Sequence, residues 1–151
     1  MNTGHEGSMT TLHANSPRDM LARLEGLVLM AVEMPVAVIR RNIASAVQLV
    51  VQIVRLSDGS RKIERISEVQ GVAGDEIVTR DIFVFEQTGV SRDGRVEGAF
   101  RATGYVPACV ERLRAAGLDV EAALFAADPT ESEGAGPVVR SPGEQTRERS
   151  A

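Results

Sequence analysis

Two Asp-Gly pairs constrain the fold of this chain more than any other feature of its sequence. They occur in "SDGS" at 57–60 and in "SRDGR" at 91–95, and each lies between segments rich in β-branched residues. Asp-Gly is favoured in tight hairpin turns because glycine readily adopts the positive φ angles that such turns require. Turns this short join antiparallel neighbours, so an antiparallel β-meander is predicted over 47–103. Its four strands are expected at 46–56, 61–72, 76–88 and 96–104.

A pair of helices is predicted immediately before the meander, over 17–46. Ser16 provides a hydroxyl for the helix N-cap, and Pro17 suits the first helical turn. Apolar residues then recur at steps of three and four, which is typical of one buried helical face. They are Leu21, Leu24, Val28 and Ala31. Pro35 ends this helix and begins the second. The buried side of the second helix is expected to carry Val36, Ile39, Ile43 and Ala46.

The remaining segments complete a mixed α/β chain with terminal helices. The segment "GSMTTLH" at 7–13 is short and β-branched in its middle, which indicates a buried strand. Helices are predicted at 107–117 and 119–125. Residues 127–151 combine Pro, Gly, Ser and charge without a periodic apolar pattern, so a disordered tail is expected. The folded region is expected to cover 1–126.

Composition and charge argue against several classes of function. Aromatic residues make up 3% of the chain, Trp is absent, and the net charge is −4. Nucleic-acid binding relies on aromatic stacking and basic surfaces, so no nucleic-acid partner is expected. The longest apolar run, at 27–32, is far shorter than the ~20 residues that span a bilayer, so no direct membrane insertion is expected. Cys109 is the one cysteine, which predicts a small core residue of a cytoplasmic protein.

The opening segment carries both histidines of the chain, His5 and His13, together with Glu6. A metal site is one interpretation, but the spacing matches no common ligand pattern and no third histidine exists. A polar cluster near bound phosphate is the second interpretation. Gly4 and Gly7 permit close backbone approach, while threonine, histidine and asparagine side chains donate hydrogen bonds. A capped loop with two incidental histidines is the third, and the residues alone leave it open beside the second.

The same segment resembles a known family. The stretch "NTGHEGSMTTLHANSPRDMLARLE", which begins at residue 2, is similar to the histidine box of the secretion and pilus-assembly ATPases. The subgroup it resembles is the tight-adherence (Flp) pilus ATPase of the CpaF or TadA type. The similarity continues through "MPVAVIRRNIASAVQLVVQIVRLSDGSRKIERISEVQG", "DIFVFEQTG", "GAFRATGYVPACVERLRAAG" and "ALF". It therefore covers about residues 2–126.

The resemblance implies the C-terminal part of a RecA-like P-loop NTPase domain that assembles as a homo-hexamer. The full-length family uses ATP and Mg²⁺ and works in the cytoplasm, docked on inner-membrane platform proteins of a type IV pilus or a type II/IV secretion machine. By resemblance, the histidine box spans 3–16, and His5, His13 and Thr11 lie near the γ-phosphate. His13 is preferred as the phosphate contact because it would end a strand, which is a more rigid mount than a loop.

Motifs that bind the phosphates and the metal are missing from this sequence. A Walker A loop reads G-x-x-x-x-G-K-[ST], yet the only lysine is Lys62, which lies in a predicted hairpin strand. The stretch "LVLMAVE", which ends in Glu33, continues a helical pattern and is not interpreted as Walker B. We therefore expect a fragment of the motor ATPase that is inactive alone, with no complete catalytic site, no metal ligands and no cofactor. The alternative is a standalone, non-catalytic interaction or regulatory module derived from such an ATPase.

Charged residues on the helices and strands allow two interpretations. Arg40 and Arg41 have the charge of an arginine finger, which stabilises the γ-phosphate of a neighbouring subunit. Ordinary ion pairs on a solvated helix face are the simpler interpretation, which also applies to Arg18 and Arg23. Three glutamates are expected to form cross-strand pairs with arginines on a wet sheet face. They are Glu64, Glu68 and Glu86.

Overall fold

The structure is a computed structural model that describes residues 7–127. Two helices come first, α1 (Pro17–Ala31) and α2 (Val36–Ala46). Four strands follow, β1 (Leu49–Arg55), β2 (Arg61–Ala73), β3 (Glu76–Val90) and β4 (Val96–Ala102). Helix α3 (Cys109–Ala115) and a 3-10 helix (Ala122–Phe125) come last. His5 and residues 128–151 of the predicted tail lie outside the described residues.

The four strands form one antiparallel sheet in the order β1-β2-β3-β4, which confirms the predicted meander. In the first turn the Leu56 N–H donates to the Ser60 carbonyl at 2.8 Å, and the Gly59 N–H donates to the Leu56 carbonyl at 2.9 Å. Gly59 and Gly94 have φ of 80° and 79°. Glycine therefore takes the left-handed position in both Asp-Gly turns, where a side chain would be strained.

Helices cover both faces of the sheet. In β2, Val69 belongs to a buried cluster with α1 and α2, whereas Ile66 packs against a second cluster. Residues three apart in a regular strand point to opposite faces, so the two clusters lie on opposite sides. The first cluster contains Leu21, Ile39, Ile43, Val50 and Val69. The second contains Ile82, Val110 and Phe125. Leu21, Ile39 and Ile43 are buried as their spacing predicted.

Helix α1 begins as predicted and ends earlier than predicted. The Ser16 hydroxyl oxygen accepts the Asp19 N–H at 3.0 Å and caps the helix. The helix ends at Ala31, and the backbone of Val32 is already extended. Glu33 therefore lies outside the helix, contrary to the prediction. Proline disfavours helical backbone at the residue before it, so the chain leaves the helix ahead of Pro35.

Residues 8–14 have no regular secondary structure, so the predicted strand over 7–13 is wrong. A strand exists only where a neighbouring strand bonds to its backbone, and none of the four described strands pairs with this segment. The segment is not buried either, since Met9 is 97% exposed. The segment has the composition of a strand, but none of the described strands pairs with it.

The two predicted terminal helices are shorter than expected. Helix α3 covers Cys109–Ala115 within the predicted 107–117. A 3-10 helix at Ala122–Phe125 takes the place of the α-helix predicted over 119–125, because a single short turn favours the tighter 3-10 geometry. Cys109 is half-buried rather than in the core, and burial raises the pKa of its thiol.

A buried carboxylate attaches α3 to the sheet. Glu68 on β2 is 7% exposed. Its carboxylate accepts the Tyr105 hydroxyl and, at 2.9 Å, the backbone N–H of Ala108, the N-cap residue of α3. Gln70 donates its side-chain N–H to the Tyr105 hydroxyl oxygen at 2.9 Å, and the Arg80 guanidinium lies 4.2 Å from the Tyr105 ring centroid. The hydrogen bond to Glu68, together with burial, raises the pKa of Tyr105.

The strand glutamates therefore have three different environments. Glu86 pairs with Arg101 across β3 and β4 at 2.9 Å, as predicted. Glu64 lies 3.6 Å from Arg65, its neighbour in the same strand, so this contact is not a cross-strand pair. Glu68 is buried, contrary to the prediction of a wet sheet face, because Tyr105 approaches from 37 residues further along the chain.

Asp58 in the first turn connects the two hairpins. Its carboxylate accepts the Ser60 N–H at 2.9 Å, the Ser60 hydroxyl at 2.6 Å and the Val96 N–H at 2.8 Å. Val96 begins β4 and is buried. The hydrogen bonds from Ser60 and Val96 lower the pKa of Asp58 to about 2. An exposed turn residue thus provides a hydrogen-bond acceptor for the buried first residue of β4.

Asp58→Ala is expected to lower the Tm by a few degrees at pH 7, because the Val96 N–H loses its acceptor. The folded pKa of about 2 lies below the usual 3.8 of an aspartate. The stabilisation is therefore present above about pH 4 and is lost as the pH falls toward 2. Thermal unfolding of both proteins from pH 7 to pH 2 checks this, and the Tm difference is expected to shrink in acid.

The matched control is Asp93→Ala, the equivalent change in the second turn. Asp93 makes a long, exposed contact of 3.7 Å with Arg95, so its removal is expected to leave the Tm nearly unchanged. A Tm difference for Asp58→Ala that stays constant down to pH 2 contradicts the assigned role of the Asp58 carboxylate.

Tyr105→Phe is expected to reduce the free energy of unfolding by about 1–2 kcal/mol, because the buried Glu68 carboxylate loses a donor. Amide hydrogen exchange is expected to increase most in α3. The folded pKa of Tyr105 lies above that of an unfolded tyrosine, about 10. The contribution of the hydroxyl is therefore complete below about pH 10 and is lost as the pH rises through the folded pKa.

The control is Gln70→Ala, which removes an exposed bond to the same hydroxyl. Equal losses of unfolding free energy in the two variants contradict the central role of Glu68.

Candidate functional site

Segment 8–14, which carries Thr11 and His13, has no regular secondary structure, but two hydrogen bonds hold its backbone. Arg23 of α1 donates from Nη1 to the His13 carbonyl at 3.0 Å. Gln52 of β1 donates from Nε2 to the Ala14 carbonyl at 3.1 Å. Gln52 is itself buried. Two consecutive carbonyls are thus bonded to a helix and to a strand, which fixes the backbone at His13 and Ala14 without a β-ladder.

The side chains of Thr11 and His13 are exposed on this segment. Their hydroxyl and imidazole groups donate hydrogen bonds without carrying the permanent charge of an arginine or a lysine. The segment then runs directly into the capped start of α1, at Ser16. The predicted reason for preferring His13, its position at the end of a strand, is wrong. The bond from Arg23 to the His13 carbonyl provides the rigid mount in its place.

The Arg40 side chain forms ion pairs with two acidic residues. Its Nε and Nη2 atoms donate to the two carboxylate oxygens of Glu25 at 2.8 and 3.0 Å, and Nη1 lies 3.5 Å from Asp75. The bidentate bond to Glu25 is the main reason that the pKa of Arg40 is raised. Arg40 therefore joins α1, α2 and the β2–β3 turn. This geometry favours the ion-pair interpretation of Arg40 over a free arginine finger.

A cleft of about 480 Å³ lies between α2 and the β2–β3 turn. Arg40 and Arg41 line one side of it, and Gly71, Gly74 and Asp75 line the other. Arg41 is exposed. The cleft presents both signs of charge, because the Asp75 carboxylate and the two arginines line it together. Its chemistry suits a mixed-charge protein surface better than the binding of a free anion.

Arg18 and Arg23 also have local partners. Arg18 of α1 pairs with Glu76 at the start of β3, and Arg23 bonds to the His13 carbonyl. Sequence reasoning missed the acidic partners of Arg18 and Arg40. The partners Glu76 and Glu25 lie 58 and 15 residues away in the sequence, so no local pattern connects them to the arginines.

The described residues define what chemistry the chain holds in this region. Within residues 7–127, no group of three His, Cys, Asp or Glu side chains is placed to hold a metal ion. None of the described helices has the length and apolar character needed to cross a bilayer. Thr11 and His13 are the predicted site residues that the structure describes, and both present their side chains to solvent.

Comparisons with known proteins identify the family. A family model described as type II/IV secretion system protein matches residues 1–106. Two proteins from strains of Mycobacterium tuberculosis, which carry the provisional name conjugal transfer protein, are 34% identical to this chain over 74 residues. The alignment covers 49% of this chain and 21% of each relative, so it spans about a fifth of their length. Because the family match covers well over half of the sequence, the chain belongs to the type II/IV secretion system protein family.

Proposed function

We propose that this chain is the C-terminal portion of a RecA-like nucleotide-binding domain in a motor ATPase. The motor would power assembly of a type IV pilus of the Flp or tight-adherence type, or type II/IV secretion. Membership of the secretion family supports this proposal. The observation that carries it is the held segment at His13, whose exposed Thr11 and His13 side chains precede the capped start of α1. Hydroxyl and imidazole groups on a fixed backbone are able to donate hydrogen bonds to phosphate oxygens.

In this proposal His5, Thr11 and His13 lie near the γ-phosphate and report the state of the nucleotide. ATP and Mg²⁺ supply the transferable phosphoryl group and the charge that neutralises it. Thr11 and His13 would donate hydrogen bonds to phosphate oxygens. The bond from Arg23 to the His13 carbonyl would pass a shift of the phosphate to α1, because both residues belong to one bonded unit.

The chain alone is proposed to be catalytically inactive. Phosphoryl transfer depends on positioning and charge neutralisation. The 151 residues contain no G-x-x-x-x-G-K-[ST] sequence, and Lys62, the only lysine, lies in β2 with its ammonium 4.8 Å from the Phe85 ring centroid. The site would be completed by a P-loop and acidic metal ligands from a polypeptide segment outside this sequence.

The same proposal specifies where the motor works and which molecules it contacts. The motor would work in the cytoplasm as a homo-hexamer, next to inner-membrane platform proteins of the pilus or secretion machine. No nucleic-acid partner and no direct membrane insertion are proposed. The net charge of −4 supports the first of these statements, since a phosphate backbone attracts basic surfaces.

A standalone, non-catalytic interaction or regulatory module is the second candidate function. The observation that favours it is exposed apolar surface at the end of α1 and in the loop that follows. Met30 is 85% exposed, and Val32 and Met34 are 44% and 37% exposed. Exposed apolar residues that lie close together in this way are able to form a contact site for another protein. Binding of a nucleotide analogue separates the two candidates once a full-length ATPase of the family supplies the P-loop: His13 then contributes to binding in the motor, whereas the module needs no nucleotide.

The purified chain is expected to hydrolyse ATP no faster than buffer. A chimaera in which this chain replaces the matching region of a full-length ATPase of the family is expected to be active, because that protein provides the P-loop. His13→Ala in the chimaera is expected to reduce kcat by at least about tenfold, as for other single donors to a transition-state charge. A coupled phosphate-release assay measures all three rates.

Met9→Ala in the same chimaera is the matched control, because Met9 lies in the same segment with an apolar, 97% exposed side chain. Its rate is expected to equal that of the unmodified chimaera. ATP hydrolysis by the chain alone that is lost on His13→Ala contradicts the proposal. A chimaera that folds and assembles but is equally active with and without His13 contradicts the assigned role of the segment.

A further inference from the structure

Segment 8–14 has an outer and an inner side at the point where it carries the candidate site residues. Thr11 and His13 are exposed. The residues that alternate with them, Leu12 and Ala14, are half-buried. The hydroxyl and the imidazole are thus on the outer side, and the contacts made on the inner side decide where they lie.

Gln52 of β1 makes one of these inner contacts. Its Nε2 atom donates to the Ala14 carbonyl at 3.1 Å, across 38 residues of sequence. Gln52 is 8% exposed, so water has limited access to this bond. The bond from Arg23 to the His13 carbonyl, in contrast, is exposed. A hydrogen bond shielded from water is stronger than one for which water competes, so Gln52 is the firmer of the two anchors.

A buried amide is unexpected at this place in β1. Alternate residues of a strand share a face, so Gln52 lies on the same face as Val50 and Val54. Val50 belongs to the apolar cluster with α1 and α2. Burying an amide costs free energy unless it is hydrogen-bonded. The amide is therefore explained by the carbonyl that it holds rather than by the packing of the strand.

The neighbour of Gln52 on β2 has a different partner. Arg65 lies directly opposite Gln52 in the ladder, but its Nη1 atom donates to the Asp81 carboxylate at 3.0 Å. The same carboxylate accepts the Ser67 hydroxyl. Arg65 is thus bonded to β3, whereas Gln52 connects β1 to the segment at His13.

We propose that Gln52 is a positioning residue for His13: its buried amide holds the Ala14 carbonyl and so sets where the adjacent imidazole meets the γ-phosphate. This inference rests on the proposed function and assigns no chemistry to Gln52 itself. A displacement of about 1 Å costs up to about 100-fold in rate. Both partners of the bond belong to this chain. The bond uses a side chain of β1, so the backbone of the strand stays available for pairing within the complete domain.

Gln52→Met in the chimaera tests the assignment, because methionine has a similar length and no N–H. Its kcat is expected to fall about fivefold, less than for His13→Ala, because the imidazole remains but is no longer held in place. The KM for ATP is expected to rise by less than about twofold, since the P-loop provides most of the ground-state binding. Phosphate release over a range of ATP concentrations measures both constants.

A double-mutant cycle shows whether Gln52 acts through His13. In the His13→Ala background, Gln52→Met is expected to change kcat by less than about 1.5-fold, because no imidazole is left to position. A purely structural role of Gln52 predicts the same loss in both backgrounds.

Gln48→Met is the matched control. Gln48 directly precedes β1, and its exposed side chain donates to the Ser45 carbonyl of α2 at 2.9 Å. This change removes a similar bond from a side chain to the backbone but leaves segment 8–14 untouched. The kcat and the KM of the control are expected to equal those of the unmodified chimaera.

Amide hydrogen exchange in the chain alone provides a measurement that needs no nucleotide. Gln52→Met is expected to raise exchange at residues 12–15 at least about threefold, because the segment opens more often without its anchor. Gln48→Met is expected to leave the same amides unchanged. If Gln52→Met prevents assembly of the chimaera, this measurement decides.

The possible failures are distinguishable. No loss of kcat in Gln52→Met, or losses that multiply in the double variant, overturn the inference, while an effect of His13→Ala leaves the proposed function standing. Unchanged hydrogen exchange at residues 12–15 overturns the inference without reference to ATP. A chimaera in which His13→Ala has no effect overturns the proposed function and this inference together.

Discussion

Backbone hydrogen bonding between β2 and β3 is the interaction on which the rest of the structure depends. These are the longest strands, with 13 and 15 residues. One face of β2 presents Val69 to α1 and α2, and the other presents Ile66 to the cluster around Val110 and Phe125. Strands β1 and β4 each pair with one member of this hairpin. Every described element is therefore attached, directly or through one neighbour, to the β2–β3 pair.

The turn of that hairpin also positions the helices that lead to the candidate site. Arg18 of α1 pairs with Glu76, and Arg40 of α2 reaches Asp75 while it bonds to Glu25. Exposed ion pairs contribute little to stability, so these pairs add to an orientation of α1 that the packing of Leu21 against Ile39 and Ile43 sets. Helix α1 in turn holds the His13 carbonyl through Arg23. The position of the proposed phosphate contact thus depends on contacts between residues that are distant in sequence.

The molecule has one closed side and one open side. On the closed side the Glu68 carboxylate satisfies the Tyr105 hydroxyl and the first turn of α3. On the open side lies the exposed segment at His13, which the bond from Gln52 to the Ala14 carbonyl joins to β1.

The sequence by itself determined what short-range chemistry decides. Asp-Gly turns specified the antiparallel meander, because glycine alone takes the left-handed position without strain, and Ser16 specified the start of α1, because its hydroxyl accepts a nearby N–H. The tertiary structure decided everything that needs a distant partner. Segment 8–14 is not a strand, because strand-like composition forms no ladder without a neighbour. Glu68 is buried, because a tyrosine 37 residues away supplies its hydrogen bond.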